Sequence, residues 1–136
     1  MTAPVHATAV AIRGRAVLIE GASGAGKSDL ALRLIDRGAV LVSDDYTLLV
    51  QEGGVLYASA PATISGRMEV RGVGIIEVAA APPTRVALAV RLGRPERLPE
   101  PAVRLIDGIA LPLVVLDARE PSAPIKVELA LARVPG

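Results

Sequence analysis

Gly21-Ala22-Ser23-Gly24-Ala25-Gly26-Lys27-Ser28 carries the spacing G-x-x-x-x-G-K-[ST], the pattern of a loop that holds nucleotide phosphates. The chemistry follows from the residue types. Glycines let successive backbone N–H groups turn inward onto phosphate oxygens, the lysine ammonium reaches the β- and γ-phosphates, and the serine hydroxyl is a ligand for Mg²⁺. A helix starting at the loop adds the positive end of its dipole. With ATP as the ligand, the expected contacts are Gly21, Ala22, Ser23, Gly24, Ala25, Gly26, Lys27, Ser28 and Asp29.

A second cluster is acidic. Asp44 and Asp45 close the apolar segment Val40-Leu41-Val42-Ser43, one helix and one return strand after the loop. An Asp in that place completes Mg²⁺ coordination, directly or through water, opposite the Ser28 hydroxyl. Side chains of neighbouring residues in an extended segment point to opposite sides. The pair can therefore divide the labour, one carboxylate on the metal and the other accepting a proton from an attacking hydroxyl. A solvated Asp-Asp turn is the competing reading, and the preceding loop favours the site. A third stretch, Glu69-Val70-Arg71-Gly72-Val73-Gly74-Ile75-Ile76, alternates charge just before an apolar strand. That alternation puts Glu69 and Arg71 on one face, which could meet the nucleotide or a partner. On spacing alone, a plain loop beside a strand accounts for it equally well.

Positioning these groups takes a strand into the loop and a helix out of it. Ala16-Val17-Leu18-Ile19 reads as a short buried strand, Leu30, Leu34 and Ile35 recur at helical spacing, and Gly38 sits where a C-cap glycine belongs. Residues 8–12, 40–42, 47–50, 55–57, 75–78, 86–90 and 113–116 read as further strands, with Gly53-Gly54 as a hairpin connection. Residues 93–101, rich in Arg, Glu and Pro, read as a polar loop. Residues 125–133, with Leu129 four positions after Ile125, read as a short closing helix. One main helix against many short strands predicts an α/β, strand-rich P-loop core. A doubly wound fold would alternate strands and helices throughout.

Composition bounds the rest. A chain of 136 residues predicts a single domain over residues 1–136, long enough to bury a core. Hydrophobic residues make up 51% of it, yet Phe and Trp are absent, so the core must be built from Ala, Val, Leu and Ile. Without cysteine there is no disulfide and no thiolate zinc site, and His6 is the single histidine. Any metal must then sit on oxygen ligands, which favours Mg²⁺. A net charge of +1 is too near neutral for a nucleic-acid footprint. No apolar run approaches a membrane span and no signal-peptide pattern opens the chain, so the expectation is a cytoplasmic protein away from membranes.

Together the three motifs resemble the catalytic domain of the bacterial HPr kinase/phosphorylase family, whose members phosphorylate a serine of the phosphocarrier protein HPr. The family pairs a phosphate loop with a V-x-D-D segment, here Val42-Ser43-Asp44-Asp45, and with a stretch like E-I-R-G-L-G-I-I, here Glu69-Val70-Arg71-Gly72-Val73-Gly74-Ile75-Ile76. It also places a functional histidine one strand before the loop, where His6 stands. The resemblance covers about residues 5–80. It implies a core of the HPr kinase type, with Lys27 and the loop amides on the phosphates of ATP and with Ser28 and Asp44 on Mg²⁺. Asp45 becomes the general base, and His6 lies near it and influences its protonation. HPr becomes the partner, with reverse phosphorolysis as a second direction. Longer members assemble as hexamers and carry an extra N-terminal domain, so the resemblance is to a short, catalytic-domain form that is expected to be a homo-oligomer. Two other readings remain open. One is a small-metabolite kinase on the same core, with Arg91, Arg94 and Arg97 as the available anion-binding side chains. The other is a non-catalytic ATP-sensing module, against which the intact Asp44-Asp45 pair argues.

Overall fold

The computed structural model describes residues 4–136. In chain order the elements are β1 (Ala7–Ile12), β2 (Arg15–Glu20), α1 (Lys27–Asp36), β3 (Val40–Ser43), β4 (Leu48–Glu52), β5 (Val55–Ser59), β6 (Arg67–Val70), β7 (Gly74–Glu77), β8 (Thr84–Leu92), β9 (Ala102–Ile106), β10 (Ile109–Leu116) and α2 (Ala123–Ala132). The fold is α/β and strand-rich, as composition and pattern imply. Its main sheet has eight strands in the order β3-β1-β2-β8-β10-β9, with β5 pairing both β4 and β8. Strands β2, β8 and β10 run parallel, while β1 pairs antiparallel with both β2 and β3.

Strand β2 lies at the centre because its side chains are apolar on both faces, and both faces are covered. On one face Val10, Val17, Ile19, Leu88 and Val90 pack with Leu30 and Leu34 of α1 and with Val127 and Leu131 of α2. On the other, Ala9, Leu18 and Ala89 pack with Leu49 of β4 and with Leu56 and Ala58 of β5. Each fully buried Leu or Val contributes roughly 1.5–3 kcal/mol of transfer free energy. The end of α1 is the one that Gly38 foretells. At φ 111 it lets its own N–H bond the Ile35 carbonyl, and the Ala39 N–H reaches back to the Leu34 carbonyl.

The structure adds to three of these expectations. The strand expected at residues 75–78 is present as β7, but it lies outside the main sheet. Gly72 and Gly74, at φ 85 and 122, fold the chain back so that β7 pairs only with β6, and Ile75 is 73% exposed. Where only residues 113–116 are expected as strand, a hairpin of β9 (from Ala102) and β10 forms, and it turns through Asp107 and Gly108, both at positive φ. Helix α2 runs over residues 123–132, but Ile125 and Leu129 face outward. The sheet takes the parallel stripe Ala123, Val127 and Leu131, which continues over one more turn. Among the described residues no helix is long and apolar enough to cross a membrane.

The two stripes of α2 give a paired test. Leu131 is 3% exposed and Leu129 62%. Leu131→Ala should lower unfolding free energy by about 3 kcal/mol through lost burial and a cavity, whereas Leu129→Ala should change it by less than about 0.5 kcal/mol. Denaturant titration at constant slope reads both, and equal losses would contradict the packing.

Candidate active site

The glycine-rich loop, residues 21–26, leaves the C-terminal end of β2 and runs into α1 at Lys27. Two of its glycines are there for space and backbone. A Cβ on Gly21 would stand 3.2 Å from both the Ala25 and Leu92 Cβ atoms, so a side chain there would press its neighbours apart by a few tenths of an ångström. Gly26 caps α1 at φ 103, and a Cβ there would lie 3.1 Å from that of Ala118. Ala22, Ser23 and Gly24 are exposed. Lys27 is 6% exposed, and its ammonium donates to the carbonyls of Gly21 (2.9 Å) and Ala22 (3.1 Å). The lysine is thereby folded across the loop it belongs to.

Ser28, in the first turn of α1, donates its hydroxyl to Asp44 Oδ1 at 2.5 Å. Asp44 follows β3 and is 7% exposed, so its carboxylate depends on hydrogen bonds. Its other bonds come from the Thr8 hydroxyl to Oδ1 (3.4 Å) and the Glu69 backbone N–H to Oδ2 (3.2 Å). Asp45 turns the other way, at φ 69, a left-handed conformation that Asp tolerates better than most residues. Its N–H donates to Thr8 Oγ1 at 3.1 Å, and its Oδ1 lies 2.9 Å from His6 Nε2. The His6 and Asp45 side chains are 38% and 57% exposed, and the His6 ring sits 5.3 Å from that of Tyr46. One carboxylate is thus held inside against Ser28, while its neighbour reaches solvent beside the single histidine.

The other expected residues do not converge on this point by their side chains. Asp29 is paired with Arg33 at 3.0 Å, one turn along α1. Glu69 contributes its backbone N–H, while its side chain is exposed, and Arg71 lies in the β6–β7 turn rather than on a common strand face with Glu69. Thr8 joins both aspartates and was not among the expected residues. The available signal was a single hydroxyl inside the apolar run of β1. Arg33 is a second omission. It donates to the carbonyls of Ala118 (2.5 Å) and Glu120 (3.1 Å), tying that loop to α1. A cavity of about 350 Å³ lined by Val50, Glu52, Tyr57, Ser59 and Pro83 lies on the β4–β5 hairpin, not at the glycine-rich loop.

Residues 1–86 match the family model described as HPr Serine kinase C-terminal domain, a stretch that takes in the loop, both aspartates and the β6–β7 hairpin. The chain belongs to this family. The HPr kinase/phosphorylase of Exiguobacterium sibiricum is 47% identical over 78 residues, which are 57% of this chain and 25% of that protein. That of Mycoplasmopsis pulmonis is 43% identical over 74 residues, 54% of this chain and 24% of the relative. The chain spans about a quarter of the length of these curated relatives in the matched region. The solved structure of the Hpr(Ser) kinase/phosphatase from Coxiella burnetii superposes with a TM-score of 0.82 at 33% identity, over 96% of this chain and 94% of that one. The HPr serine kinase C-terminal fold therefore extends past residue 86 to include β8, β9, β10 and α2.

Within this HPr serine kinase core, Thr8 is the group that connects the two aspartates. Thr8→Val keeps the shape of the side chain but leaves the Asp45 N–H without its acceptor and removes a donor from buried Asp44. It should lower stability by about 1–3 kcal/mol in denaturant unfolding, with Thr8→Ser recovering most of the loss. An unchanged midpoint in Thr8→Val would remove Thr8 from the network.

Proposed function

We propose that this chain is an ATP- and Mg²⁺-dependent serine kinase that transfers the γ-phosphoryl group to a seryl hydroxyl of HPr. The observation that carries the reading is the divided aspartate pair beside a phosphate-type loop. Asp44 lies 2.5 Å from the Ser28 hydroxyl, and Asp45 reaches solvent on His6. The names of the relatives, HPr kinase/phosphorylase, supply the acceptor.

In this reading the loop amides cradle the phosphates, and the Lys27 ammonium exchanges the Gly21 and Ala22 carbonyls for phosphate oxygens. The donor set suits Mg²⁺. Ser28 Oγ and Asp44 are hard oxygen ligands, and a magnesium site of this kind is completed by phosphate and water rather than by further protein groups. When bound, the ion neutralises charge between the β- and γ-phosphates. Asp45 accepts the proton of the seryl hydroxyl as its oxygen bonds to the γ-phosphorus and the bond from that phosphorus to the ADP oxygen breaks. His6 holds Asp45 in place through its Nε2 contact. The same atoms serve the reverse direction. Protonated Asp45 donates to the serine oxygen as inorganic phosphate attacks phosphoserine, releasing pyrophosphate. Positioning and electrostatics supply most of the acceleration, because little covalent work falls to the protein.

The test is transfer of label from γ-labelled ATP with Mg²⁺ to purified HPr. Label should appear on a serine of HPr, and Asp45→Asn should slow transfer by about 10²–10⁴-fold while nucleotide binding persists. Unchanged turnover in Asp45→Asn would sink the assignment of the base. Tight ATP binding with no label on HPr would move the acceptor elsewhere.

A further inference from the structure

Strands β2, β8 and β10 are parallel, and β3 runs with them because both β3 and β2 are antiparallel to β1. Their C-terminal ends therefore open on one edge of the sheet, where ligands of open α/β folds sit. The order β3-β1-β2-β8-β10 puts Asp44 and Asp45 on one flank of the glycine-rich loop and residues 117–122, which follow β10, on the other. On the kinase reading above, the γ-phosphate meets Asp44 and Asp45. A triphosphate is a linear chain, so its opposite end must leave the loop on the β8–β10 flank.

That flank carries a built platform. Ala118 abuts Gly26, its Cβ 3.1 Å from where a Cβ on the glycine would stand, so the segment after β10 meets the loop at that residue. Arg33 pins them from below through the Ala118 and Glu120 carbonyls. Asp117 Oδ1 accepts from the backbone N–H of Arg119 (2.9 Å) and from its Nε (3.1 Å), and Oδ2 accepts from Nη2 (3.0 Å). The guanidinium is held in one plane, although the Arg119 side chain is 83% exposed. These bonds from Arg119 hold the Asp117 carboxyl below the usual carboxylate range, so the pair stays ionised at neutral pH. The two tyrosines are elsewhere: Tyr46 is beside His6, and Tyr57 lines the cavity on the β4–β5 hairpin.

We propose that the nucleoside of the bound triphosphate packs on residues 117–119, its base stacked on the guanidinium plane of Arg119. The proposal rests on the phosphate-loop reading and adds the half of the ligand that the loop does not touch. A planar, weakly hydrated guanidinium stacks on heteroaromatic rings where an ammonium does not. Because Asp117 and Arg33 already fix the platform, little order has to be gained on binding.

The experiment compares ATP with inorganic tripolyphosphate, which has the phosphates and no nucleoside, by calorimetry on the full chain. The wild-type chain should bind ATP more tightly than tripolyphosphate. Arg119→Ala should weaken ATP by about tenfold and leave tripolyphosphate unchanged, and Arg119→Lys should follow Arg119→Ala because it restores charge but no plane. Unchanged ATP affinity in Arg119→Ala, equal weakening of both ligands, or full recovery in Arg119→Lys would each overturn the stacking site. Failure of tripolyphosphate to bind the wild-type chain would overturn the phosphate-loop reading itself, a result distinct from tripolyphosphate binding with no advantage for ATP.

Discussion

The Asp44 carboxylate joins three separate parts of the chain at one point. It is almost fully buried, and a buried carboxylate is tolerated only where its oxygens are hydrogen-bonded. Its partners come from the first turn of α1 (Ser28), from β1 (Thr8) and from the backbone of β6 (Glu69). A shift of any one of these elements leaves a charged oxygen short of a donor. The β6–β7 hairpin feels this most. It belongs to a separate two-stranded sheet, attached to the core by buried Met68 and tied to the site through the Glu69 N–H. The same carboxylate thus ties the glycine-rich loop's helix, β1 and the β6–β7 hairpin together.

Asp45 shows how adjacent, chemically identical residues come to differ. Extended backbone alone would send their side chains to opposite sides. The left-handed turn at Asp45 goes further, carrying its carboxylate out to His6 while its N–H closes on Thr8. Burial and donors surround one carboxylate, solvent and a histidine the other. That contrast is what the proposed division of roles, metal ligand and proton acceptor, rests on.

Much of this was legible from the sequence because it is local. The glycine-rich loop, the helix after it and the Gly38 cap are each written within a few residues, where backbone sterics decide. The Asp44-Asp45 pair was legible from its place after an apolar strand. Thr8 was not, since its two bonds exist only once β1 has paired with β3, and that pairing joins residues far apart in the chain. Which face of α2 packs inward was not legible, because Ile125–Leu129 and Val127–Leu131 have the same spacing and only packing against the sheet chooses between them. The β9 strand escaped notice beside the proline-rich loop before it, although Asp107-Gly108 between apolar residues is a strong hairpin signal.

The absence of Phe and Trp also shapes the site. The sheet face under β4 and β5 carries Ala7, Ala9, Ala11, Ala16 and Ala89 beside Leu18, Val42 and Val86, and the small side chains let that hairpin lie close to the sheet. Close approach brings Thr47, just before β4, against the start of β1. There Val5 and Thr47 exchange backbone bonds of 2.8 and 2.9 Å, and the Thr47 hydroxyl donates to the Ala7 carbonyl at 2.8 Å. The span from Ser43 to Thr47 is thereby anchored at one end in β3 and at the other beside His6. A turn this short, held at both ends, has few ways to run. An alanine-lined core thus aims an exposed carboxylate at a histidine without burying either of them.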